Sequence, residues 1–275
     1  MIRTRIVVGS LLAVAAAGIV VADTYLAPWF PCLFACLMFT GIIATRELVR
    51  LFPAAMRPPA WPTAIGVCVI LASNFTLPSA DSGSRLIGIA VGVFFAAFLV
   101  EMVRFREPGA AVPRLALATF VFVYLGVLGS FFAQIRWLGD PERTSLLLAL
   151  TIFVPKAGDI GAFFTGTFFG RHKMTPTLSP KKTWEGFAGG MLAAMGCAIG
   201  LSFAGDAFRH GILEAAAFGL AVGIAGVLGD LAESLIKRDC QAKDAAASIP
   251  GFGGILDVVD SVLFAAPVAY FWFRI

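Results

Sequence analysis

Charged side chains are scarce in this sequence. Aspartate, glutamate, lysine and arginine make up 14% of its 275 residues, where a soluble domain carries about a quarter. So few charges cannot cover a water-facing surface, which excludes an ordinary soluble globule. Histidine is scarcer still. His172 and His210 are the only two, which leaves a histidine zinc site or a Ser-His-Asp triad without support. The five cysteines, Cys32, Cys36, Cys68, Cys197 and Cys240, show no metal-ligand spacing and mostly sit in apolar runs. Small apolar filler accounts for them, although Cys32 and Cys36 share a helix face. A long basic tract, a repeat of fixed period and a low-complexity tail are all missing, so a net charge of +4 makes no case for nucleic acid.

Apolar residues are what the chain has in excess. They make up 59% of it, and the mean hydropathy is +0.88. They fall into runs of about 20 residues, the length a helix needs to cross about 30 Å of hydrocarbon. Nine runs are legible: 6–22, 28–45, 61–78, 84–103, 115–135, 144–169, 186–204, 212–235 and 255–273. A helix satisfies its own backbone groups in lipid, so the runs predict an all-α, polytopic integral membrane bundle of about nine transmembrane helices.

Charge placement gives the orientation. With the N-terminus and every second loop in the cytoplasm, that side holds 15 of the 21 basic residues, from Arg3 and Arg5 to Lys237, Arg238 and Lys243. The opposite side holds 5, and Lys156 lies inside a run. Basic loops stay cytoplasmic during insertion, so the expected topology is N-in and C-out. The N-terminus resembles a secretory signal, but Val20-Val21-Ala22 is a poor cleavage site. Losing the first run would also turn the basic loops to the wrong side, so we expect an uncleaved first helix.

We expect one membrane domain, 1–275, with two grammars. Residues 1–140 read as scaffold: apolar spans, short loops and the Pro-rich connector Arg57-Pro58-Pro59-Ala60-Trp61-Pro62. Glu47 and Glu101 lie beside arginines near span ends, where interfacial ion pairs are expected. From 150 to 275 ionisable residues enter the spans themselves: Lys156, Asp159, Asp230, Glu233, Asp257 and Asp260. A charge at membrane depth costs at least about 2.5 kcal/mol, and such residues face a polar cavity or a partner. Function is therefore sought in this half.

Three constellations stand out. Ser179-Pro180-Lys181-Lys182-Thr183-Trp184-Glu185-Gly186 enters the seventh span. Paired lysines and hydroxyls at a helix start suit an anionic phosphate, although any cytoplasmic loop can carry Lys-Lys as an anchor. In Gly229-Asp230-Leu231-Ala232-Glu233-Ser234-Leu235-Ile236-Lys237-Arg238, Asp230, Glu233 and Lys237 fall on one helix face. That face suits Mg²⁺ and phosphate, or else an internal ion-pair stripe. Lys243-Asp244 then precedes Ile249-Pro250-Gly251-Phe252-Gly253-Gly254, and the ninth span follows with Asp257 and Asp260 in its opening turns. Two carboxylates one turn apart at that depth repel unless a cation or proton intervenes. Lys156 and Asp159 either join this set or neutralise each other, and Pro155 and Gly158 loosen their helix in the manner of a cavity wall. Under the expected topology the lysine loops face the cytoplasm. Asp230 lies seven residues, about 10 Å of helix, below Lys237.

In these residues the chain resembles the phosphatidate cytidylyltransferase family. Ser234 to Asp260 matches its signature: Ser-x-x-Lys-Arg, a later Lys-Asp, Pro-Gly-x-Gly-Gly, then two aspartates three apart. Gly158 to Gly186 is similar to its Asp-x-Gly-Ala-x-Phe … Ser-Pro-Lys-Lys-Thr-Trp-Glu-Gly region. The resemblance implies conversion of CTP and phosphatidic acid to CDP-diacylglycerol and pyrophosphate with Mg²⁺, and leaves a second metal or a monovalent ion open. It implies metal binding by Asp230, Asp257 and Asp260. It implies catalytic roles for Lys181, Lys182, Lys237, Arg238, Lys243 and Asp244, with Ser179, Thr183, Asp159, Glu233, Ser234, Gly253 and Gly254 binding substrate. The implied setting is a multi-pass protein of a bacterial cytoplasmic membrane with its site facing the cytoplasm, and a homodimer is left open.

Two positions depart from the family pattern. Phe252 stands where the family usually has His, and Val258 where it usually has Arg after the first aspartate of the pair. A weaker enzyme, a compensated subfamily and another lipid phosphate as acceptor all fit that change. Rival readings are a transporter, a polyisoprenol-type lipid kinase that releases CDP, and an inactive relative. No inverted repeat supports the first, and the intact aspartates speak against the last.

Overall fold

The computed structural model describes residues 2–75 and 82–275, with side chains described from Val7 and again from Gly83. The side chains of Arg3 and Arg5 and the end of the expected 61–78 span lie outside the described residues. Ten α-helices carry the described chain, and eight helical segments among them are long and apolar enough to cross a membrane. The expected third span is the exception. Its helix, Ala60–Ala72, extended by a 3₁₀ turn to Phe75, is shorter than a bilayer crossing needs.

The chain folds into two compact units. The first comprises Met1–Gln134 and Asp244–Val258, the second Ile135–Lys243 and Val259–Ile275. The glycine-rich stretch belongs with the N-terminal helices.

The first unit holds α1 (Ile2–Tyr25), α2 (Pro31–Leu51), α3 (Ala60–Ala72), α4 (Ser82–Arg104) and α5 (Ala111–Val121), which runs through a π-helical turn into α6 (Leu128–Ile135). Buried Asp23 accepts from the backbone N–H groups of Cys32 (2.9 Å) and Leu33 (2.7 Å), so a carboxylate caps α2, whose proline sits in its first turn. Asn74, Ser130 and Gln134 form a buried chain of side-chain hydrogen bonds at 2.8 and 3.0 Å. Polar groups paired in this way join helices where lipid offers no hydrophobic drive. Glu101 meets Arg114 at 2.8 Å, the expected ion pair.

The second unit holds α7 (Pro141–Phe169), a hairpin of β1 (Lys173–Thr175) and β2 (Ser179–Thr183), α8 (Trp184–Ser202), α9 (Gly211–Asp239) and, from Val259, α10 (Leu256–Arg274). The hairpin pairs Lys173 with Thr183 and Thr175 with Ser179. The hairpin stands where a loop entering the seventh span is expected from the sequence. Small residues let α7 and α8 touch: a Cβ on Gly161 would fall 2.4 Å from the Ala193 Cβ and 3.0 Å from the Gly189 carbonyl. Pro155 and Gly158 are buried contact points. A Cβ on Gly226 of α9 would meet the Pro155 Cβ at 2.8 Å, and one on Gly158 the Gly190 carbonyl at 3.5 Å.

Candidate functional site

Within the second unit, ionisable side chains from α7, β2, α9 and α10 gather inside the helices. Lys182, at the end of β2, reaches Asp230 of α9 at 2.7 Å. Lys156 of α7 lies 3.5 Å from both Asp159 and Asp260. Glu233 meets Lys237 at 3.1 Å one helical turn on. Ser261 donates to Asp159 (3.4 Å) and Ser234 to Asp230 (3.5 Å). The set holds four carboxyl groups and three ammonium groups. Close approach of α9 and α10 makes it possible, because a Cβ on Gly229 would fall 2.5 Å from the backbone oxygen of Asp260.

The hairpin delivers the lysines. Thr183 caps α8, its hydroxyl accepting from the Gly186 N–H at 3.1 Å, and is itself buried. Glu185 reaches back to the Arg171 and His172 N–H groups at 3.0 and 3.2 Å, which fixes where the hairpin leaves the helix. Strand alternation then turns Lys182 inward toward Asp230 and leaves Lys181 exposed. Ser179 is half-buried on the same strand. Arg238 ends α9 with Nε 3.5 Å from the Leu178 carbonyl and Nη1 3.3 Å from that of Ala242, so the hairpin and the end of α9 lie on one side of the unit. Lys243 and Asp244 are exposed beyond that helix.

A second constellation forms within the first unit, around the glycine-rich stretch. Ile249 and Gly253 pair across the turn through bonds of 2.7 and 3.1 Å, with Gly251 and Gly253 at φ of 87° and 100°, a region that favours glycine. Asp257 Oδ2 accepts from the Gly254 N–H at 2.7 Å and the Ala245 N–H at 3.2 Å. Glu47 of α2, 3% exposed, accepts from the Ser248 hydroxyl at 2.8 Å and the Leu256 N–H at 2.9 Å. The expected ion pair at Glu47 is therefore corrected: its partners are the glycine stretch. The adjacent glycines are the room these carboxylates need. A Cβ on Gly253 would lie 2.6 Å from Asp257 Oδ2, and one on Gly254 would lie 2.5 Å from Glu47 Oε2.

With this geometry in hand the chain can be set beside known proteins. The Cytidylyltransferase family profile matches residues 3–275. This chain belongs to that family. Among curated proteins it is similar to a phosphatidate cytidylyltransferase of Bacillus subtilis (strain 168), 31% identical over 234 residues that cover 84% of each chain. A phosphatidate cytidylyltransferase of Mycobacterium bovis is 31% identical over 83% of this chain and 76% of its own. Phosphatidate cytidylyltransferase 4, chloroplastic, of Arabidopsis thaliana is 33% identical over 85% of this chain and 64% of its own.

Membership of the cytidylyltransferase family raises the question of a metal. Among the described residues no three His, Cys, Asp or Glu side chains stand close enough to form a protein cage. The donors are hard carboxylate oxygens, and Mg²⁺ usually takes only one or two of these, with water and substrate phosphates completing its shell. Asp230 and Asp260 fit that pattern. In the described structure Lys182 and Lys156 neutralise them. Phe252, the first departure from the family pattern, lies against α1, where a Cβ on Gly9 would meet its ring at 3.1 Å.

Glu47 is the residue whose partners the sequence does not reveal. It sits about 200 positions from the motif, inside an ordinary-looking span. The one signal was a carboxylate placed where the helix turns out to be buried.

Proposed function

We propose that this cytidylyltransferase joins CTP to phosphatidic acid, giving CDP-diacylglycerol and pyrophosphate. The supporting observation is the Lys156, Asp159, Lys182, Asp230, Glu233 and Asp260 cluster, embedded in membrane helices of a chain that matches the family from end to end. Helices of this kind keep charge only for a purpose. The relatives' names supply the acceptor, phosphatidate.

The chemistry needs little more than placed charge. A phosphate oxygen of phosphatidic acid, anionic at neutral pH, attacks the α-phosphorus of CTP. The bond from that phosphorus to the bridging oxygen breaks, and pyrophosphate leaves. No Ser, Cys or His nucleophile is called for, in keeping with the two exposed histidines. Lys182 lies beside the carboxylates and Lys181 faces solvent, so the pair bind phosphates. Arg238 at the end of α9 and exposed Lys243 add charge for the pyrophosphate. Asp230 and Asp260 would hold Mg²⁺, which would supply further charge neutralisation, and the family resemblance adds Asp257 to the implied ligands. Asp159 and Asp260 hold Lys156 in place, and Ser261 donates to Asp159.

The same proposal sets the chain in a bacterial cytoplasmic membrane with the hairpin and the end of α9 facing the cytoplasm, where CTP is dissolved; N-in and C-out needs an odd number of crossings, so the proposal counts Ala60–Phe75 as a short ninth crossing beside the eight long segments. The test is direct. Membranes containing the protein receive CTP labelled in the cytosine ring, phosphatidic acid and Mg²⁺. A labelled CDP-lipid with one pyrophosphate per turnover is expected. Release of CDP with a phosphorylated lipid overturns the reading in favour of a lipid kinase.

A further inference from the structure

We infer that Glu47 is a positioning residue, which fixes the glycine-rich turn from outside the motif. This rests on the proposed transfer reaction and adds to it a residue from the half of the chain that reads as scaffold.

The geometry is a two-point clasp within the first unit. Glu47 Oε1 takes the Ser248 hydroxyl at 2.8 Å and Oε2 takes the Leu256 N–H at 2.9 Å. These partners flank Pro250–Gly254, so one carboxylate ties the entrance of the turn to its exit. Asp257 ties the inside of the turn through the N–H groups of Gly254 and Ala245. Leu256 opens α10, and its N–H is one of the donors that a helix start leaves unsatisfied. Glu47 satisfies it and adds a negative charge at the favourable end of the helix. The carboxylate makes no ion pair among the described residues, and it is buried at the depth of α2. Such a group is costly unless its hydrogen bonds are kept. Burial on α2 therefore holds Glu47 in one place, and the loop must come to it.

Two consequences distinguish this role from ordinary helix packing. A Cβ on Gly254 would lie 2.5 Å from Glu47 Oε2, so the carboxylate would have to move off its two partners. The last glycine of Pro-Gly-x-Gly-Gly is thus explained by a residue outside the motif. The loop's shape should also depend on Glu47 far more than the stability of the helices does.

The experiment uses the full-length protein in a cysteine-free background, with Ala245→Cys as reporter at a buried position of the same segment. Glu47→Ala should raise the rate of maleimide labelling at position 245 about tenfold or more. Glu47→Gln should leave it within about threefold, because the amide oxygen can accept from Leu256 while the Ser248 hydroxyl turns to accept from the amide. In the transfer assay Glu47→Ala should lower kcat about ten- to hundredfold in protein that elutes and melts like wild type. Glu47→Gln should recover most of that loss. Unchanged labelling and unchanged kcat in Glu47→Ala overturn the inference. So does a kcat loss matched by a general loss of folded protein with labelling unchanged. Labelling needs no turnover, so the clasp can pass its test even if the proposed reaction fails.

Discussion

The pair Lys182–Asp230 offers the sharpest test of whether the membrane charges do chemistry or merely neutralise one another. At 2.7 Å two unit charges attract by about 6 kcal/mol at an effective dielectric of 20, much of which offsets their desolvation. Removing one partner of a fully buried pair costs about 3–5 kcal/mol. Here 34% of the Asp230 side chain and 22% of that of Lys182 remain exposed, so water screens part of the interaction. About 2 kcal/mol is then expected from either Lys182→Met or Asp230→Asn. For a chain of this size that is a fall of roughly 4–8 °C in the midpoint of thermal unfolding, measured in detergent. The double variant leaves no unpaired charge and should regain most of the stability, the usual sign of direct coupling.

Activity should follow a different rule. If Asp230 holds the metal and Lys182 a phosphate, each single variant loses a separate transition-state interaction worth about 10²–10³ in kcat. The double variant regains neither. The prediction is therefore a split: unfolding midpoint restored, formation of labelled CDP-lipid still lost. A double variant that makes CDP-lipid at near-wild-type rate would refute the reasoning, and would reduce the pair to a structural neutralisation.

Four further outcomes follow from the same structure. Thr177→Cys, exposed at the hairpin turn, should react with an impermeant thiol reagent only when the cytoplasmic face is open; labelling of intact cells reverses the topology. Gly229→Ala places a Cβ 2.5 Å from the Asp260 backbone oxygen, so α9 and α10 must part, and a loss of about 1–3 kcal/mol in stability should come with a larger fall in activity. Chelating Mg²⁺ should abolish CDP-lipid formation and readdition should restore it, whereas full activity in chelator would remove the metal from the scheme. Phe252→His with Val258→Arg should lower activity, because Phe252 packs on Gly9 and the half-buried Val258 position leaves an arginine short of water; a rise in CDP-lipid synthesis would show instead that the site lacks these two side chains.

Much of the fold is legible in the sequence, and the reason is physical. Hydrocarbon permits only closed hydrogen-bonding structures, so apolar runs of about 20 residues translate almost directly into helices. Where a run was mixed with turn-formers the translation weakened: α3 stops at Ala72, with Ser73 and Asn74 turning the backbone over their own side-chain hydrogen bonds. The hairpin was missed for the opposite reason. Lys173-Met174-Thr175 and Ser179-Pro180-Lys181-Lys182-Thr183 have little strand propensity, and what closes them is the capping of α8 by Thr183 together with the grip of Glu185 on Arg171 and His172. Those are contacts of the helix start, not properties of the strands.

The site divides along the same line. Lys156, Asp159, Asp230, Glu233 and Asp260 stood out because charge in a membrane run is rare enough to need a reason, and within the second unit they do meet. Their partner assignment did not stand out. The sequence separates Lys182 from Asp230 by 48 positions, and only strand alternation together with the α8 cap turns Lys182, and not Lys181, toward the carboxylates. Glu47 was hidden more deeply. A glutamate beside arginines near a span end has a cheap explanation at the interface, and nothing local contradicts it. What decides its role is the absence of two Cβ atoms some 200 residues away: Gly253 and Gly254 make room for Asp257 and Glu47. A glycine pair in a motif is usually attributed to the ligand it lets approach. Here the groups that approach it are two of the protein's own carboxylates, and the turn they shape leads straight into the helix that carries Asp257 and Asp260.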